Sequence, residues 1–207
     1  VTASGRTTPR TKAADRDWNQ RRTAKLERLE AVRSFTSGRV LDAGRIREAL
    51  EALLRPGDRV ALEGDNQKQA DFLAETLAGC DPEVVHDLHL LISSISLREH
   101  LDVFERGAAR RLDLAYAGPQ SVRMAQLLAD GKVEVGAIHT YVELYARMFV
   151  DLTPDVVLLC AEQADREGNL ARTKVAAALR PRPSPLRTLG RRGHIPTTGP
   201  SCQPKLE

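Results

Sequence analysis

The sequence predicts an α/β fold, a mainly parallel sheet with flanking helices. Three observations carry that expectation. Between residues 40 and 170, aliphatic strand-like runs and periodic helix-like segments change places about every fifteen residues, the rhythm of a strand–helix–strand repeat. Several of the runs are continuously aliphatic instead of alternating, as strands covered on both faces are. Glycine, proline, aspartate or asparagine stands at most of the exchanges.

From Asp15 onward, Trp18, Leu26, Leu29 and Val32 are spaced to share a face of an Arg-rich helix, but the match is incomplete and a solvated helix is the simpler reading. The first dozen residues before it are small, polar and expected to be disordered. Asp42 is the expected cap of a second helix, in which Ile46, Ala49, Leu50, Leu53 and Leu54 recur at three- and four-residue intervals. Arg55-Pro56-Gly57-Asp58 ends it, and a strand follows at 59–64. Beyond Asp65 and Asn66, Phe72, Leu73 and Leu77 line a helix that Gly79 stops.

Residues 84–92 (VVHDLHLLI) form the next expected strand. Ser96 and Glu99 stand three apart ahead of an apolar-periodic segment, a capping-box pattern in which each side chain satisfies an otherwise unpaired amide. A strand is expected at 112–118, then a helix opened by Pro119 at its first position and closed near Gly131. A strand at 132–138, a helix over 141–150 and a strand at 155–163 complete the series, the last with the strongest aliphatic signal.

The net charge of +3 conceals three unlike segments. Residues 1–39 carry ten Lys/Arg against four Asp/Glu, residues 40–170 thirteen against twenty-three, and residues 171–207 eight against one. The part rich enough in aliphatics to fold is therefore acidic, which argues against a uniformly basic nucleic-acid module. No apolar run is long enough to cross a bilayer, and the start lacks the order of a signal peptide, so the expected compartment is the cytoplasm, with neither nucleic acid nor membrane as a partner. Cys80, Cys160 and Cys202 are an odd, widely spaced set without zinc-ligand spacing, so neither a disulfide framework nor a metal is expected. Cys160 lies in an aliphatic run without a positioned base and reads as a small core residue.

In parallel sheets ligands bind beyond the carboxyl ends of the strands, which directs attention to four loops. Gly64-Asp65-Asn66-Gln67-Lys68-Gln69 offers a close backbone approach, a helix cap and exposed amides for an anion or carbonyl, and turn and capping work explains the same residues. It matches neither of the glycine-rich phosphate-binding motifs. Gly118-Pro119-Gln120 repeats the device, and His139-Thr140 stands at a third strand end. In the fourth loop Glu162 serves as acid, base or nucleophile only if placed next to a substrate, while Asp165, Arg166 and Glu167 fit an ordinary charged turn. His86 and His89 on one strand would point to opposite faces, which argues against joint chelation. Asp87 is placed to orient one of them.

Five phrases carry a resemblance: LEGDNQKQADFLA at 62–74, VHDLHLLISS at 85–94, REHLDVFERGAARRLDLAYAGPQS at 98–121, VEVGAIHTYVELYARMFVDLTPDV at 133–156 and AEQADREGNL at 161–170. Together they resemble the alpha subunit of malonate decarboxylase, within the broader family of CoA-transferase-like proteins, and so imply a CoA-transferase-like fold. The resemblance implies an acyl carrier protein transferase that exchanges acetyl for malonyl on the carrier thiol. That thiol belongs to a phosphoribosyl-dephospho-CoA-type prosthetic group on the partner, so no cofactor is expected bound covalently to this chain. Malonate, an acetyl thioester, the carrier protein and the other decarboxylase subunits are the implied partners. In the broader family a glutamate attacks the thioester, giving a protein-bound acyl intermediate that the incoming carboxylate resolves.

That glutamate is expected in a second half of the subunit, so no catalytic residue is assigned. Gly64, Asp65, Asn66, Gln67, Gly118, Pro119, Gln120, His139 and Asn169 are the expected pocket-forming residues of a half site, polar side chains orienting a carboxylate or thioester carbonyl and glycines giving backbone access. The likeness stops near Leu170. Six prolines and eight Lys/Arg among residues 171–207 give the composition of a disordered tail, and the expectation is a frame shift or truncation after residue 170, with a basic interaction tail as the alternative. Three segments are thus expected: a basic extension over 1–39, a CoA-transferase-like α/β domain over 40–170, and the tail over 171–207. The alternative function is a catalytically inactive fragment acting in folding, carrier binding or assembly. A missing half also predicts exposed apolar surface and self-association.

Overall fold

The computed structural model describes residues 12–64, 70–161 and 163–171. The disordered start and the tail from residue 172 expected above lie outside that range. Helix α1 (Lys12–Ala31) leads through a 3-10 turn at Arg33–Phe35 to a two-stranded hairpin, β1 (Thr36–Ser37) and β2 (Val40–Leu41). Leu26 and Leu29 of α1 face solvent, so the expected apolar face is not buried along the helix; only Val32, just past its end, enters the core. The Trp18 side chain falls outside the described residues. Asp42 caps, but it caps a 3-10 turn (Ala43–Arg45), its carboxylate accepting the Gly44 N–H at 2.8 Å, and α2 (Ile46–Leu53) grows from that turn without a side-chain cap of its own.

Then β3 (Arg59–Leu62), α3 (Asp71–Ala78), β4 (Leu88–Ser94), α4 (Glu99–Glu105), β5 (Ala109–Tyr116), α5 (Ser121–Ala129), β6 (Glu134–Ile138), α6 (Tyr141–Val150) and β7 (Val156–Leu158) alternate, before a last hairpin of β8 (Gln163–Ala164) and β9 (Leu170–Ala171). The five strands β3 to β7 form one sheet in the order β6-β5-β4-β3-β7, every pairing parallel. The fold class is as the sequence predicts.

Strand residues sort by parity. Val60 and Leu62, Leu90 and Ile92, Leu112 and Leu114, Val156 and Leu158 join the large core with residues of α2, α3, α4 and α5. Ala61, Leu91, Ala115 and Val157, one residue out of phase, join a small cluster with Leu144, Met148 and Leu152 in and after α6. Both faces of the central strands are apolar, which is why they read as continuous runs.

Four local expectations differ from the structure. The strand at 84–92 begins only at Leu88, because Asp81 accepts the N–H groups of residues 83–85 and Asp87 adopts φ +55°, a turn conformation. His86 therefore precedes the strand instead of sharing it with His89. The capping box does not form: Ser96 Oγ bonds Ser94 Oγ at 2.8 Å, and Arg98, already helical, supplies the carbonyl that accepts the N–H groups of Leu101 and Asp102. Pro119 lies in a 3-10 turn (Gly118–Gln120) that precedes α5. The run at 155–163 contributes three residues to the sheet, since β7, among the described residues, pairs with β3 alone over 60–62.

Arg28 ties α1 to the domain. Its guanidinium forks onto Asp58, with Nη2 donating to Oδ1 at 2.8 Å, while the same carboxylate accepts the Arg55 N–H at 2.8 Å in the turn before β3. Asp58 is buried, so removing it strands a partly buried cation and an amide. Asp58→Ala is expected to lower unfolding free energy by about 2 kcal/mol, read from urea melts, with faster amide exchange along α1.

Candidate functional site

From β3 to β6 successive strands step toward one edge, and their crossover helices α3, α4 and α5 all pack on one face. The chain then returns past β3 to lay β7 on its other side. A right-handed crossover taken in the reverse direction must place its helix on the opposite face, which is where α6 lies. Strand order therefore reverses between β3 and β7, and beyond the carboxyl ends of such a pair parallel sheets hold their ligands. Glu63 N–H donates to the Leu158 carbonyl at 3.0 Å there, joining the loop after β3 to the end of β7.

Gly64 enters this site with no room for a side chain. A Cβ would fall 2.6 Å from the Ser94 carbonyl oxygen and 2.7 Å from its nitrogen. Gly118 repeats the contact one strand over, where φ is +57° and a Cβ would stand 3.1 Å from the Ile95 carbonyl. The carboxyl ends of β3, β4 and β5 are thus drawn together by two close backbone approaches. Pro119 is exposed and Gln120 half-buried on the turn beyond Gly118. Asp65, Asn66, Gln67 and Glu162 lie outside the described residues.

His100, on the first turn of α4, was not among the expected site residues. It is fully buried; Nδ1 accepts the Leu97 N–H at 3.4 Å, and among the described residues Nε2 makes no well-formed hydrogen bond. Burial pushes its pKa down to about 4, the Glu63 backbone only partly offsetting it, so the ring is neutral at pH 7. Asp71, on the first turn of α3, likewise keeps Oδ1 buried and without a hydrogen-bond partner among the described residues.

His139 is not at an open strand end. It is buried, and its Nε2 donates to Asp113 Oδ1 at 2.7 Å, while His89 Nε2 donates to Oδ2 of the same carboxylate at 2.6 Å. Burial works against the Asp113 charge, but the bonds from the two imidazoles outweigh it and hold the carboxyl below its usual range. Burial lowers the pKa of His89 in spite of Asp113. Gly136 on β6 packs flat against this carboxylate, with no space for a Cβ. The network ties β4, β5 and the β6–α6 junction on the face that α6 covers. Its sequence signal is a lone acid, Asp113, inside the aliphatic run of β5.

Asn169 sits in the β8–β9 hairpin, where its N–H and Nδ2 both donate to the exposed Asp165 carboxylate, at 2.8 and 2.6 Å. Asp165 also accepts the Glu167 N–H, so these residues build the tight turn. His86 Nδ1 pairs with the adjacent Asp87 at 2.9 Å on the surface. Among the described residues no group of three or more His, Cys, Asp or Glu is placed to hold a metal ion, and no helix is long and apolar enough to cross a membrane.

A sequence profile described as malonate decarboxylase, alpha subunit, transporter matches residues 17–177. The chain belongs to the malonate decarboxylase alpha subunit family. It is 49% identical over 154 residues to the acetyl-S-ACP:malonate ACP transferase of Malonomonas rubra, covering 74% of this chain and 28% of that protein. Among solved structures it is similar to the malonate decarboxylase alpha subunit of Acinetobacter baumannii (53% identity, TM-score 0.72). It is also similar to a chain of a Pseudomonas malonate decarboxylase hetero-tetramer in complex with malonate (56% identity, TM-score 0.72). Each structural match covers 74% of this chain and 28% of the other. The chain thus spans under a third of the length of these relatives, and the match runs through every strand-end loop of the sheet.

Two measurements test the buried polar groups of this alpha-subunit segment. A histidine whose folded pKa lies below its unfolded one stabilises fully above pH 6.5 and loses that contribution as pH falls toward 4, because the unfolded state binds the proton first. For His100 the full effect is roughly 3 kcal/mol, so His100→Gln should flatten that part of the acid limb of stability against pH. For the second network, Asp113→Leu leaves two buried imidazole N–H groups unpaired and should cost roughly 3 kcal/mol in urea unfolding at pH 7.

Proposed function

We propose that this chain forms the first α/β unit of a malonate decarboxylase alpha subunit, and that the whole subunit converts acetyl-S-carrier protein and malonate into malonyl-S-carrier protein and acetate. The observation that carries this reading is the 49% identity to a protein named for that transfer. The prosthetic thiol arm of the carrier, of the phosphoribosyl-dephospho-CoA type, is the group handled, and the sister decarboxylase subunits and the carrier protein are the partners. Residues 40–170 serve as the transferase-like domain, with 1–39 and 171–207 as basic extensions.

In this reading the loops after β3 and β5 form half of a site. Asp65, Asn66, Gln67 and Gln120 orient the carboxylate or thioester carbonyl, Gly64 and Gly118 bring backbone close to it, and Pro119 fixes the turn that presents Gln120. His139 and Asn169 contribute indirectly, the first by anchoring the β6–α6 junction through Asp113, the second by closing the hairpin after β7. The nucleophile that takes the acyl group from sulfur is supplied by the remainder of the subunit. A half site without the reacting group contributes little rate.

A second reading is favoured by the short coverage: a fragment that binds the carrier or sister subunits without turnover. Intact mass after exposure to acetyl- or malonyl-thioester separates the two. No persistent acyl adduct on the purified chain is expected, and an adduct would place the nucleophile within these residues. Carried in a full-length subunit, Asn66→Ala and Gln120→Ala should slow acetyl-to-malonyl exchange by about tenfold to a hundredfold. Exchange unchanged in both correctly folded variants would sink the assignment of this loop pair.

A further inference from the structure

Helix α6 buries one narrow stripe and exposes another. Leu144 and Met148 pack on the sheet, whereas Phe149 is 86% exposed, Val150 81% and Val142 79%. Tyr141 and Tyr145 are half exposed, and Ile138, at the end of the edge strand β6, is 70% exposed. Val142, Tyr145 and Phe149 recur at helical spacing, so they form one continuous apolar stripe that Ile138 extends. The charged residues of α6 are directed elsewhere: Arg147 donates to Asp151 through Nε at 3.1 Å, and Glu143 Oε1 lies 3.4 Å from His139 Nδ1. Apolar patches of this kind mark surfaces that are covered in the working protein.

We propose that this face of α6 docks an apolar surface of the alpha-subunit chain beyond the segment matched here. The inference rests on the reading of this chain as one unit of a longer subunit, but not on transferase activity. Two observations select that occupant. The relatives devote 72% of their length to chain that this segment does not match, on either structural comparison. The patch is also on the sparsely covered side of the sheet, where among the described residues one helix serves in place of the several on the other side.

Size points the same way. A ten-residue helix is about 15 Å long and about 10 Å across, and its exposed face alone falls short of the roughly 800 Å² that each partner buries in a stable association of separate molecules. Within one chain, tethering raises the effective concentration to the millimolar range, and so small a face suffices. The complementary surface must be largely apolar, with acceptors or donors for the phenol groups of Tyr141 and Tyr145 at its rim.

Cysteine labelling tests this. Val142→Cys and Phe149→Cys are introduced into the 207-residue chain, and cysteines at the aligned positions into full-length Malonomonas rubra transferase. Each is treated with a maleimide at dilutions where sedimentation shows a monomer, and labelling is located by peptide mapping. Both sites should react in this chain at nearly the denatured rate, and about tenfold or more slowly in the full-length monomer, where opening of the covered face limits access. Equal rates in the full-length monomer would overturn the proposal. Protection already present in the monomeric 207-residue chain would do so in favour of its own residues 172–207, and protection that appears there only with rising concentration would do so in favour of a second copy. Loss of transferase activity leaves these rates unaffected, so the two readings fail separately.

Discussion

A parallel sheet hides its apolar strands only when both faces are covered, and that constraint organises this chain. The central strands carry buried aliphatic side chains on both faces, so neither face can be left to water. The large core takes up Val60, Leu90 and Leu112 from one face together with α2, α3, α4 and α5. Among the described residues the other face receives α6 alone, because the chain reverses direction once, after β6, and the right-handed crossover places its helix there. Where helix cover is thin, a polar network takes part of the surface: beside Leu91 and Ala115 the His89 and His139 imidazoles both bond the Asp113 carboxylate through Nε2, while His139 Nδ1 makes no hydrogen bond among the described residues. Where paired in this way, buried polar atoms cost little; deprived of one member they become expensive.

The same reversal creates the site. It falls between the paired strands β3 and β7, and at the sheet's carboxyl edge two glycines draw the ends of β3, β4 and β5 together. Gly64 is glycine because the Ser94 backbone occupies the place of a side chain, while Gly118 is glycine both for its positive φ and for the nearness of Ile95. Close backbone approach and a helix or turn beginning immediately afterwards are what a carboxylate or thioester carbonyl requires. The exposed stripe of α6 follows from the same asymmetry, as the outer surface of the one helix that the described residues place on that face.

Much of the fold was legible because period and punctuation are local. The helix at 141–150 has the bounds its pattern predicts, and the alternation of strand and helix holds from β3 to β7. The errors arose where a distant or neighbouring partner intervened. Asp81 captured the amides of residues 83–85 and delayed β4; Ser94 captured Ser96 and removed the capping box. The aliphatic run at 155–163 yielded a short strand, since strand length depends on how far the neighbouring β3 extends, which hydrophobicity does not record. In the site, Gly64 and Gly118 stood out as glycines at strand ends, but His100 carried no local signal, its importance lying in burial against α4's own turn and the end of β3.

The sequence alone determined the class of fold, the family, the acidic centre between basic ends, and the glycines that a strand-end site needs, because each depends on residue type at short spacing. Tertiary structure decided which strands meet, and so where the order reverses and where ligands can enter. It also turned His139 inward onto Asp113 and bent Asn169 back onto Asp165. The first depends on a partner brought near by packing, 26 residues away, whereas the second closes a tight turn between residues four apart. The side of the sheet that α6 covers, and hence the apolar surface it leaves open, follows from the handedness of a whole crossover, which no window of sequence contains.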